Sequence, residues 1–386
     1  MANVTTKIVE EMLKQGKSAS DIGKEYNISR QAVYHHINKL KKKEKHETVF
    51  PKPKKSYNSL IDWRIYNEGL VKRGEVLLDF EFFSGWDEEL DVMNEGKVGY
   101  PYEYPDSFIQ FLMRLKCVFK IDYRTLEGIT RKLIIFVPKS QRAPDYSTLQ
   151  FRFSNMEYKL EVYQEHGEQV VAGDSTGLKT SNRGEYRMNK YRGKRKEFVK
   201  LHIIVNIKTR QIISWSVTKE EVRDGKEMPK LISGAKKYGK IKEALFDRAY
   251  DDKNNYWMLQ NEEIKPGIKP RKTMKLERVN QEIEKEEKRL IFIKGKNKRE
   301  KIQARLLRLK TLKEYLQDKE KWKEENGYGE RWKAEGRYSV FKRVFGEHVF
   351  SKKMGNISKE VAVKLSLMNI FAYLTIEAIK TGCTIA

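Results

Sequence analysis

Apolar residues recur at helical spacing over residues 6 to 43 and predict three short helices. Ser18, with Asp21 three residues later, predicts a capping box at the start of the second helix, and Ser29 predicts an N-cap for the third. The apolar positions of the three helices are Ile8, Met12 and Leu13; Ile22 and Tyr26; and Val33, Ile37 and Leu40.

The segment from Ser20 to Leu40, with its tight turn at Asn27 to Ser29, resembles a helix-turn-helix DNA reader. In that docking mode the early residues of the third helix meet base edges in the major groove. A plain three-helix packing module would show the same apolar spacing. We expect a DNA-binding domain over residues 1–45, then a basic, proline-containing linker over 46–56. The predicted base contacts are Arg30, Gln31, Tyr34 and His35.

Residues 57–150 combine helical spacing with many aromatic residues, and the run from Ile109 to Phe119 is apolar enough to be buried. From residue 168 to about 270 the pattern changes to short strands alternating with helices. Gln169 to Gly173 predicts a strand that ends at Asp174, and Lys200 to Thr218 predicts a hairpin. Ile241 to Phe246 predicts a strand with Asp247 at its end. This order indicates an α/β fold, a mixed sheet with helices on its faces.

Residues 273–325 return to helical spacing, with two apolar seams separated near Gly295. The pattern predicts a helical hairpin with heavily charged outer faces. The hairpin could serve as an oligomer contact, as a phosphate contact or as a solvated pair of helices, and the pattern does not decide among them.

The net charge of the chain limits the class of binding partner. Of the 386 residues, 79 are Lys or Arg and 54 are Asp or Glu, which gives a net charge of +25. Charges of both signs are enriched on some thermophile surfaces, but that does not produce an excess of one sign. The excess predicts a polyanionic partner, nucleic acid before an anionic membrane surface. No run of some 18 apolar residues and no signal-peptide pattern is present, and two cysteines give no disulfide framework, so we expect a soluble cytoplasmic protein.

Four residues near the C-terminal end follow the spacing Y-x2-R-x3-E-x6-K: Tyr328, Arg331, Glu335 and Lys342. At about 100° per residue these offsets return to one side of a helix. One carboxylate is therefore expected beside two cations and a phenol.

Asp174 and Asp247 each follow an apolar strand, and Glu335 lies on the later helix. Three carboxylates from separate elements can bind two divalent cations, and oxygen ligands favour magnesium or manganese over zinc. Arg331 and Lys342 would then hold the phosphate backbone. Asp251 and Asp252 are rival candidates, but they are better placed as N-caps of the next helix.

These strings together resemble the DDE transposases of prokaryotic insertion sequences that carry the tyrosine-arginine-glutamate-lysine signature. The strings are Val171 to Gly177 around Asp174, Phe246 to Tyr250 around Asp247, and the signature set itself. The stretch from Tyr57 to Tyr146 is also similar to the amino-terminal half of one branch of that group.

The resemblance implies a ribonuclease-H-like catalytic domain over residues 165–380, with the helical insertion at about 273–325. It implies two magnesium ions, for which manganese would substitute, held by Asp174, Asp247 and Glu335. Tyr328, Arg331 and Lys342 would contact DNA near the terminal phosphates.

The leading hypothesis is a transposase that binds terminal inverted repeats, cleaves the element ends and joins the 3′-hydroxyls to target DNA. Its partner would be double-stranded DNA, and pairing two ends would require a homodimer in the DNA complex. Two alternatives remain open at this point: a DNA-binding transcriptional regulator without nuclease activity, and a structure-selective nuclease of the same fold.

Overall fold

The computed structural model describes residues 6–29, 31–37, 63–136, 142–163, 167–180 and 198–383. The chain divides into two compact units, Met1–Asp62 and Trp63–Ala386. The predicted linker at 46–56 lies outside the described residues, and the predicted domain boundaries stay predictions.

The first unit contains the three predicted helices, Thr6–Lys14, Ala19–Glu25 and residues 31–37. Each helix contributes one fully buried residue to a small core: Val9, Ile22 and Val33. The capping box predicted for Ser18 and Asp21 is confirmed. The predicted cap of the third helix is also present, because the Ala32 N–H donates to Ser29 Oγ at 3.2 Å.

The second unit is built on one five-stranded sheet. Its strands are β1 (Gln169–Lys179), β2 (Phe198–Asn206), β3 (Ile212–Lys219), β4 (Ile241–Phe246) and β5 (Lys265–Ile268). Their order across the sheet is β3-β2-β1-β4-β5. β2 pairs antiparallel with β1 and with β3, whereas β4 pairs parallel with both β1 and β5. The predicted mixed sheet is confirmed.

Successive residues of a strand point to opposite faces of a sheet. In this sheet both faces are covered by helices. Val171 packs in the core that includes helices Met228–Lys236 and Lys253–Asn261, whereas Ala172 packs in the larger core on the other side. The larger core includes helices Asp106–Phe119, Trp332–Phe345 and Met354–Cys383. This arrangement is the mixed sheet with flanking helices of a ribonuclease-H-like core.

β1 is longer than its apolar residues predict. The apolar run predicts a strand that ends at Asp174, but the antiparallel ladder with β2 continues through Asp174 opposite Ile203 to Lys179 opposite Phe198. The polar residues after Gly173 form strand because β2 supplies their backbone partners. Asp174 therefore lies in the middle of β1, not after it.

Gly173 is required by the packing of β1 against β4. A Cβ atom at this position would lie 2.0 Å from Cε1 of Phe246, which is far inside van der Waals contact. The ring of Phe246, itself fully buried, fills the place of a side chain at residue 173. The strand position before Asp174 is thus restricted to glycine while Phe246 is present.

The region before the sheet is helical, as its spacing predicts. Phe108 and Leu112, in the apolar run, are buried, and Trp86 packs against Phe108 at 5.2 Å between ring centroids. These aromatics are core residues. The helices are Trp63–Leu77, Trp86–Asn94, Asp106–Phe119, Tyr123–Leu133 and Tyr146–Asn155, with 3-10 turns at Glu81–Phe83 and Ile134–Phe136.

The predicted helical hairpin is present between β5 and the signature residues. Its arms are Leu276–Phe292 and Lys296–Gln317, and a short helix, Lys319–Glu325, follows. Val279, Ile283, Leu306 and Leu309 form the seam between the arms. Ala304, on the second arm, packs in the core beside helix Lys253–Asn261. In the part of the chain that the structure describes, no helix is long and apolar enough to cross a membrane.

Candidate active site

Asp174 lies within β1, and Asp247 is the first residue after β4, the parallel neighbour of β1. Ala172 of β1 is paired with Leu245 of β4, and each aspartate follows its paired residue by two positions. Asp174 is one strand period beyond Ala172 and so lies on the same face of the sheet, and the charge of Asp247 acts on the Asp174 carboxyl. Asp247 directly follows β4 and caps the 3-10 turn Arg248–Tyr250 by accepting the Ala249 N–H at 2.8 Å.

The signature residues do not share one helix. Tyr328 to Arg331 form a 3-10 turn, and the α-helix begins only at Trp332. The expectation that all four residues share one helix is therefore wrong: Tyr328 and Arg331 lie in the 3-10 turn, which follows Gly327 at φ +52°, and the other two lie in the α-helix. Glu335 lies in the first turn of the helix.

Arg331 links two of the three candidate carboxylates. Its Nη1 lies 3.6 Å from Asp174 Oδ2, and its Nη2 forms an ion pair with Glu335. The Arg331 and Asp174 side chains are only 16% and 19% exposed, so water screens their interaction weakly, whereas Glu335 is 54% exposed and its pair with Arg331 is screened more strongly. The guanidinium thus holds the signature helix against the middle of β1.

The Asp174 carboxyl has a raised pKa, chiefly because it is buried. Burial raises the pKa of the Asp174 carboxyl to about 6, and the charges of Asp247 and Glu335 act in the same direction. A backbone hydrogen bond from Ser175 and the charge of Arg331 lower the pKa but do not offset the rise. A further cation would favour the ionised form of this carboxyl.

The donor chemistry fits a hard divalent cation. Asp174, Asp247 and Glu335 supply carboxylate oxygens alone, which is the ligand type of magnesium and manganese. Over the described ranges, no three His, Cys, Asp or Glu side chains are close enough to hold one ion together. With Arg331 between Asp174 and Glu335, the two neighbouring aspartates are the part of the set that the backbone already brings together.

Tyr328 and Lys342, the outer members of the signature, have different surroundings. Tyr328 is 9% exposed and packs on Trp322 at 5.4 Å between ring centroids. Burial raises the pKa of its phenol to about 12. Lys342 is two helical turns beyond Glu335, and its charge helps lower the pKa of Glu347, after the hydrogen bond and charge of Lys179.

The rival aspartates have structural roles. Asp252 accepts the Asn254 N–H and is the N-cap of helix Lys253–Asn261, as predicted. Asp251 is not a cap. It is buried and forms two hydrogen bonds with Arg308 of the hairpin, Nε to Oδ1 at 2.6 Å and Nη2 to Oδ2 at 3.0 Å. It also accepts the Arg271 N–H at 2.8 Å. The sequence gives no local signal for this long-range pair.

Tyr338 is a positioning residue that sequence reasoning missed. Its hydroxyl donates to the backbone carbonyl of Asp174 at 2.6 Å and lies 2.9 Å from the carbonyl of Leu201. Its place one turn after Glu335, on the buried side of the same helix, was the available signal. Tyr338 ties the signature helix to the backbone of β1 at the residue that carries the first aspartate.

We expect Tyr338→Phe to lower the free energy of unfolding by about 1–2 kcal/mol, because it leaves a buried carbonyl without its donor. Any DNA strand cleavage should slow as well, since the Asp174 backbone loses its support. Tyr104→Phe is the matched control, because Tyr104 is buried and donates to the Arg142 carbonyl at 3.1 Å in the helical region. Urea unfolding and cleavage rates should show a loss of stability in both variants but slower cleavage only in Tyr338→Phe.

The predicted base-contacting residues belong to the other compact unit. Gln31, Tyr34 and His35 are exposed on the third helix, with Tyr34 44% exposed. Arg30 lies outside the described residues. Their exposure is compatible with a nucleic-acid contact, and their role stays a prediction.

Comparison with known proteins gives matches along most of the chain. Family models described as a transposase DDE domain match residues 71–183 and residues 165–370, and a helix-turn-helix domain model matches residues 6–55. Among solved structures, the chain is similar to one in the cryo-EM structure of the simian T-cell lymphotropic virus intasome in complex with PP2A regulatory subunit B56 gamma. Sequence identity is 13% and the TM-score is 0.21, and the match covers 50% of this chain and 64% of that chain, less than two thirds of its length.

Proposed function

Because this chain belongs to the DDE transposase family, we propose that it cleaves the ends of a DNA element and joins the freed 3′-hydroxyls to target DNA. The observation that supports this proposal is that Asp174 and Asp247 each follow, by two positions, the paired residues Ala172 and Leu245 of adjacent parallel strands, with Glu335 linked to Asp174 through Arg331. The ribonuclease-H-like fold and the carboxylate side chains then both fit metal-dependent cleavage of DNA.

The DDE family uses divalent metal, and we assign its ligands in this chain to Asp174, Asp247 and Glu335, with magnesium as the first candidate and manganese as a substitute. Bound there, the metal would activate the attacking water or 3′-hydroxyl and neutralise charge on the phosphodiester. Arg331 pairs with two of these carboxylates, which supports the proposal that it would donate to a phosphate oxygen at the same site. Tyr328 and Lys342 are proposed DNA contacts on either side of it.

Recognition of the element ends is assigned to the helix-turn-helix unit. Gln31, Tyr34 and His35 would face the bases together with Arg30, and the rest of the positive charge would contact phosphates. Terminal inverted repeats come in pairs, so we propose a homodimer in the DNA complex. The place of action would be the nucleoid in a prokaryotic cytoplasm.

The test is cleavage of labelled duplexes that carry the DNA flanking this reading frame, with and without magnesium or manganese. We expect discrete, metal-dependent cuts at a repeat boundary, followed by joining of the 3′ ends to a target plasmid. Specific binding without any cut at any metal concentration would favour the transcriptional regulator. Cuts that follow branched DNA structure and ignore the end sequence would favour a structure-selective nuclease.

A further inference from the structure

Two arginines from different helices contact one face of the last helix of the chain. Arg337, on the signature helix, donates from Nη2 to the backbone carbonyl of Met368 at 2.9 Å. Arg73, on the first helix of the second unit, donates from Nη2 to Thr375 Oγ1 at 2.7 Å, and its guanidinium lies 5.5 Å from the centroid of the Phe371 ring. Residues 368, 371 and 375 are spaced by three and four positions, so they follow one face of the helix. The two guanidinium groups are therefore neighbours along that face.

Both guanidinium groups have a buried donor without an acceptor. The Nε atoms of Arg73 and Arg337 are buried, and neither donates a hydrogen bond within the described residues. A buried arginine is ordinarily paired with a carboxylate or another anion, because an unpaired charge away from water is costly. The hydrogen bonds that these two side chains do form go to a carbonyl and a hydroxyl, which carry no charge. Each guanidinium therefore still lacks a counterion.

The charged groups that surround this pair are positive. Burial, and then the charges of Arg210 and Arg73, lower the pKa of Arg337 to about 10. Burial also lowers the pKa of Arg73; the Tyr66 phenol opposes this effect, and the charge of Arg343 adds to it. No carboxylate of the described chain contributes to either pKa. A nearby anion would favour the charged form of both side chains.

The turn between β2 and β3 brings Arg210 to the same place. The last helix holds this turn through Asn369, which accepts the Ile212 N–H at 2.8 Å and donates to the Ile212 carbonyl at 2.8 Å. Asn369 directly follows Met368, whose carbonyl binds Arg337. The turn is thus fixed beside the residue that positions the buried guanidinium.

The cluster is open to solvent and lies away from the three carboxylates. Arg210 and Arg343 are exposed, whereas Arg73 and Arg337 are partly buried. Arg337 follows Glu335 by two residues, which is about 200° around a helix, so the two side chains leave the helix on opposite sides. We call Arg73, Arg210, Arg337 and Arg343 the arginine cluster. An anion from solvent would meet the exposed arginines first and the buried ones beneath them.

We propose that the arginine cluster binds a phosphate group, at a site separate from the three carboxylates. A guanidinium donates two parallel N–H bonds to phosphate oxygens, and one phosphate can accept from several guanidiniums at once. Arg73 and Arg337 would bind the oxygens, and the two exposed arginines would attract the anion. The phosphate comes either from the backbone of bound DNA or from free phosphate, which share this chemistry. Only the DNA source rests on the proposed function.

The first test is thermal unfolding of the full chain in inorganic phosphate, with chloride at matched ionic strength as the reference. At ten times its Kd, phosphate should raise the Tm of wild type by about 3 °C, because a ligand that binds only the folded state stabilises it. Arg73→Met and Arg337→Met should each abolish that rise. Methionine keeps the packed length of the side chain and removes the buried charge, so both variants should fold.

Arg114→Met is the matched control. Arg114 is 25% exposed, but it already has a carboxylate partner, Glu161, at 2.8 Å. Its replacement removes one partly buried arginine from the same unit and should leave the Tm rise in phosphate unchanged. A loss of the rise in all three variants would show that the effect is not specific to the arginine cluster and would overturn the proposal.

The second test, duplex binding without divalent metal, separates the two sources of phosphate. If bound DNA is the source, Arg73→Met and Arg337→Met should each weaken binding roughly tenfold. Each should also reduce the slope of log Kobs against log salt by about 0.9, the value for one phosphate contact. If free phosphate is the ligand, both variants should bind the duplex like wild type and lose only the Tm rise. Either result supports the site.

Other outcomes contradict the proposal. Equal Tm values of wild type in phosphate and chloride, with unchanged duplex binding by both variants, would leave the arginines as packing residues. A retained Tm rise in both variants, with a changed oligomeric state, would assign them to a contact between subunits. A protein that responds to phosphate through these arginines but never cleaves DNA would contradict the proposed function and leave this site standing.

Discussion

Glu335→Gln is expected to abolish metal-dependent strand cleavage while leaving affinity for duplex DNA within about twofold of wild type. The substitution keeps the size of the side chain and removes one negative charge beside Asp174. If metal supplies several kcal/mol of charge stabilisation, its loss corresponds to a rate reduction of roughly a thousandfold or more. Asp174→Asn and Asp247→Asn should act in the same way. The measurements are single-turnover cleavage of an element-end duplex and fluorescence anisotropy of the same DNA.

Glu330→Gln is the matched control, since Glu330 is in the adjacent 3-10 turn, its side chain is 48% exposed, and it pairs with Lys333, which is 18% exposed. It should cleave at nearly the wild-type rate, because surface ion pairs contribute little. Wild-type cleavage by any one of the three carboxylate variants, at matched metal concentration, would remove that residue from the proposed metal site.

The second large effect, a loss of stability, is expected when the Asp251–Arg308 ion pair that joins the hairpin to the catalytic core is broken. Arg308→Met leaves Asp251, whose side chain is 1% exposed, without its bidentate partner. Removing one member of a buried pair costs about 3–5 kcal/mol, because the remaining charge stays desolvated. We expect that loss in the free energy of unfolding from urea titrations. Asp251→Leu combined with Arg308→Met should recover part of it, since both charges are then gone.

Lys310→Met tests whether the loss is specific to the buried pair. Lys310 is on the same helix and pairs with Glu287 at 3.1 Å, but both side chains are about half exposed. Its replacement should change stability by less than about 1 kcal/mol. Equal losses in the free energy of unfolding for Arg308→Met and Lys310→Met would show that the Asp251–Arg308 contact stabilises the fold no more than an exposed ion pair does.

Much of this fold follows from local pattern. β4 has the bounds that its apolar run predicts, Ile241–Phe246, and the Ser18 capping box is present. These features depend on residues close in sequence, where spacing and side-chain chemistry act directly. The helical hairpin was equally readable, because its seams repeat over many turns.

The features that the sequence did not predict depend on residues that are distant in the sequence. The second half of β1 is polar, and it becomes strand because β2 supplies the ladder. Asp251 differs from an ordinary helix cap only through Arg308, 57 residues away. Two members of the signature motif, Tyr328 and Glu335, contact Arg331 as its spacing predicts, but the motif is divided between a 3-10 turn that ends at Arg331 and a helix that begins at Trp332. The three candidate carboxylates were chosen from the sequence, and their function awaits the experiments above.

The contact between Gly173 and Phe246 constrains the order in which substitutions at these two positions can accumulate. Any replacement at residue 173 adds at least a Cβ atom, which would lie 2.0 Å from Cε1 of the Phe246 ring. A smaller residue at 246 leaves a cavity but no collision, and cavities of this kind are survivable losses of stability. Substitution at 246 must therefore come first in any lineage that acquires a side chain at 173. The two positions are therefore epistatic, with the substitution at 246 preceding the one at 173. Each of them directly precedes a candidate catalytic aspartate.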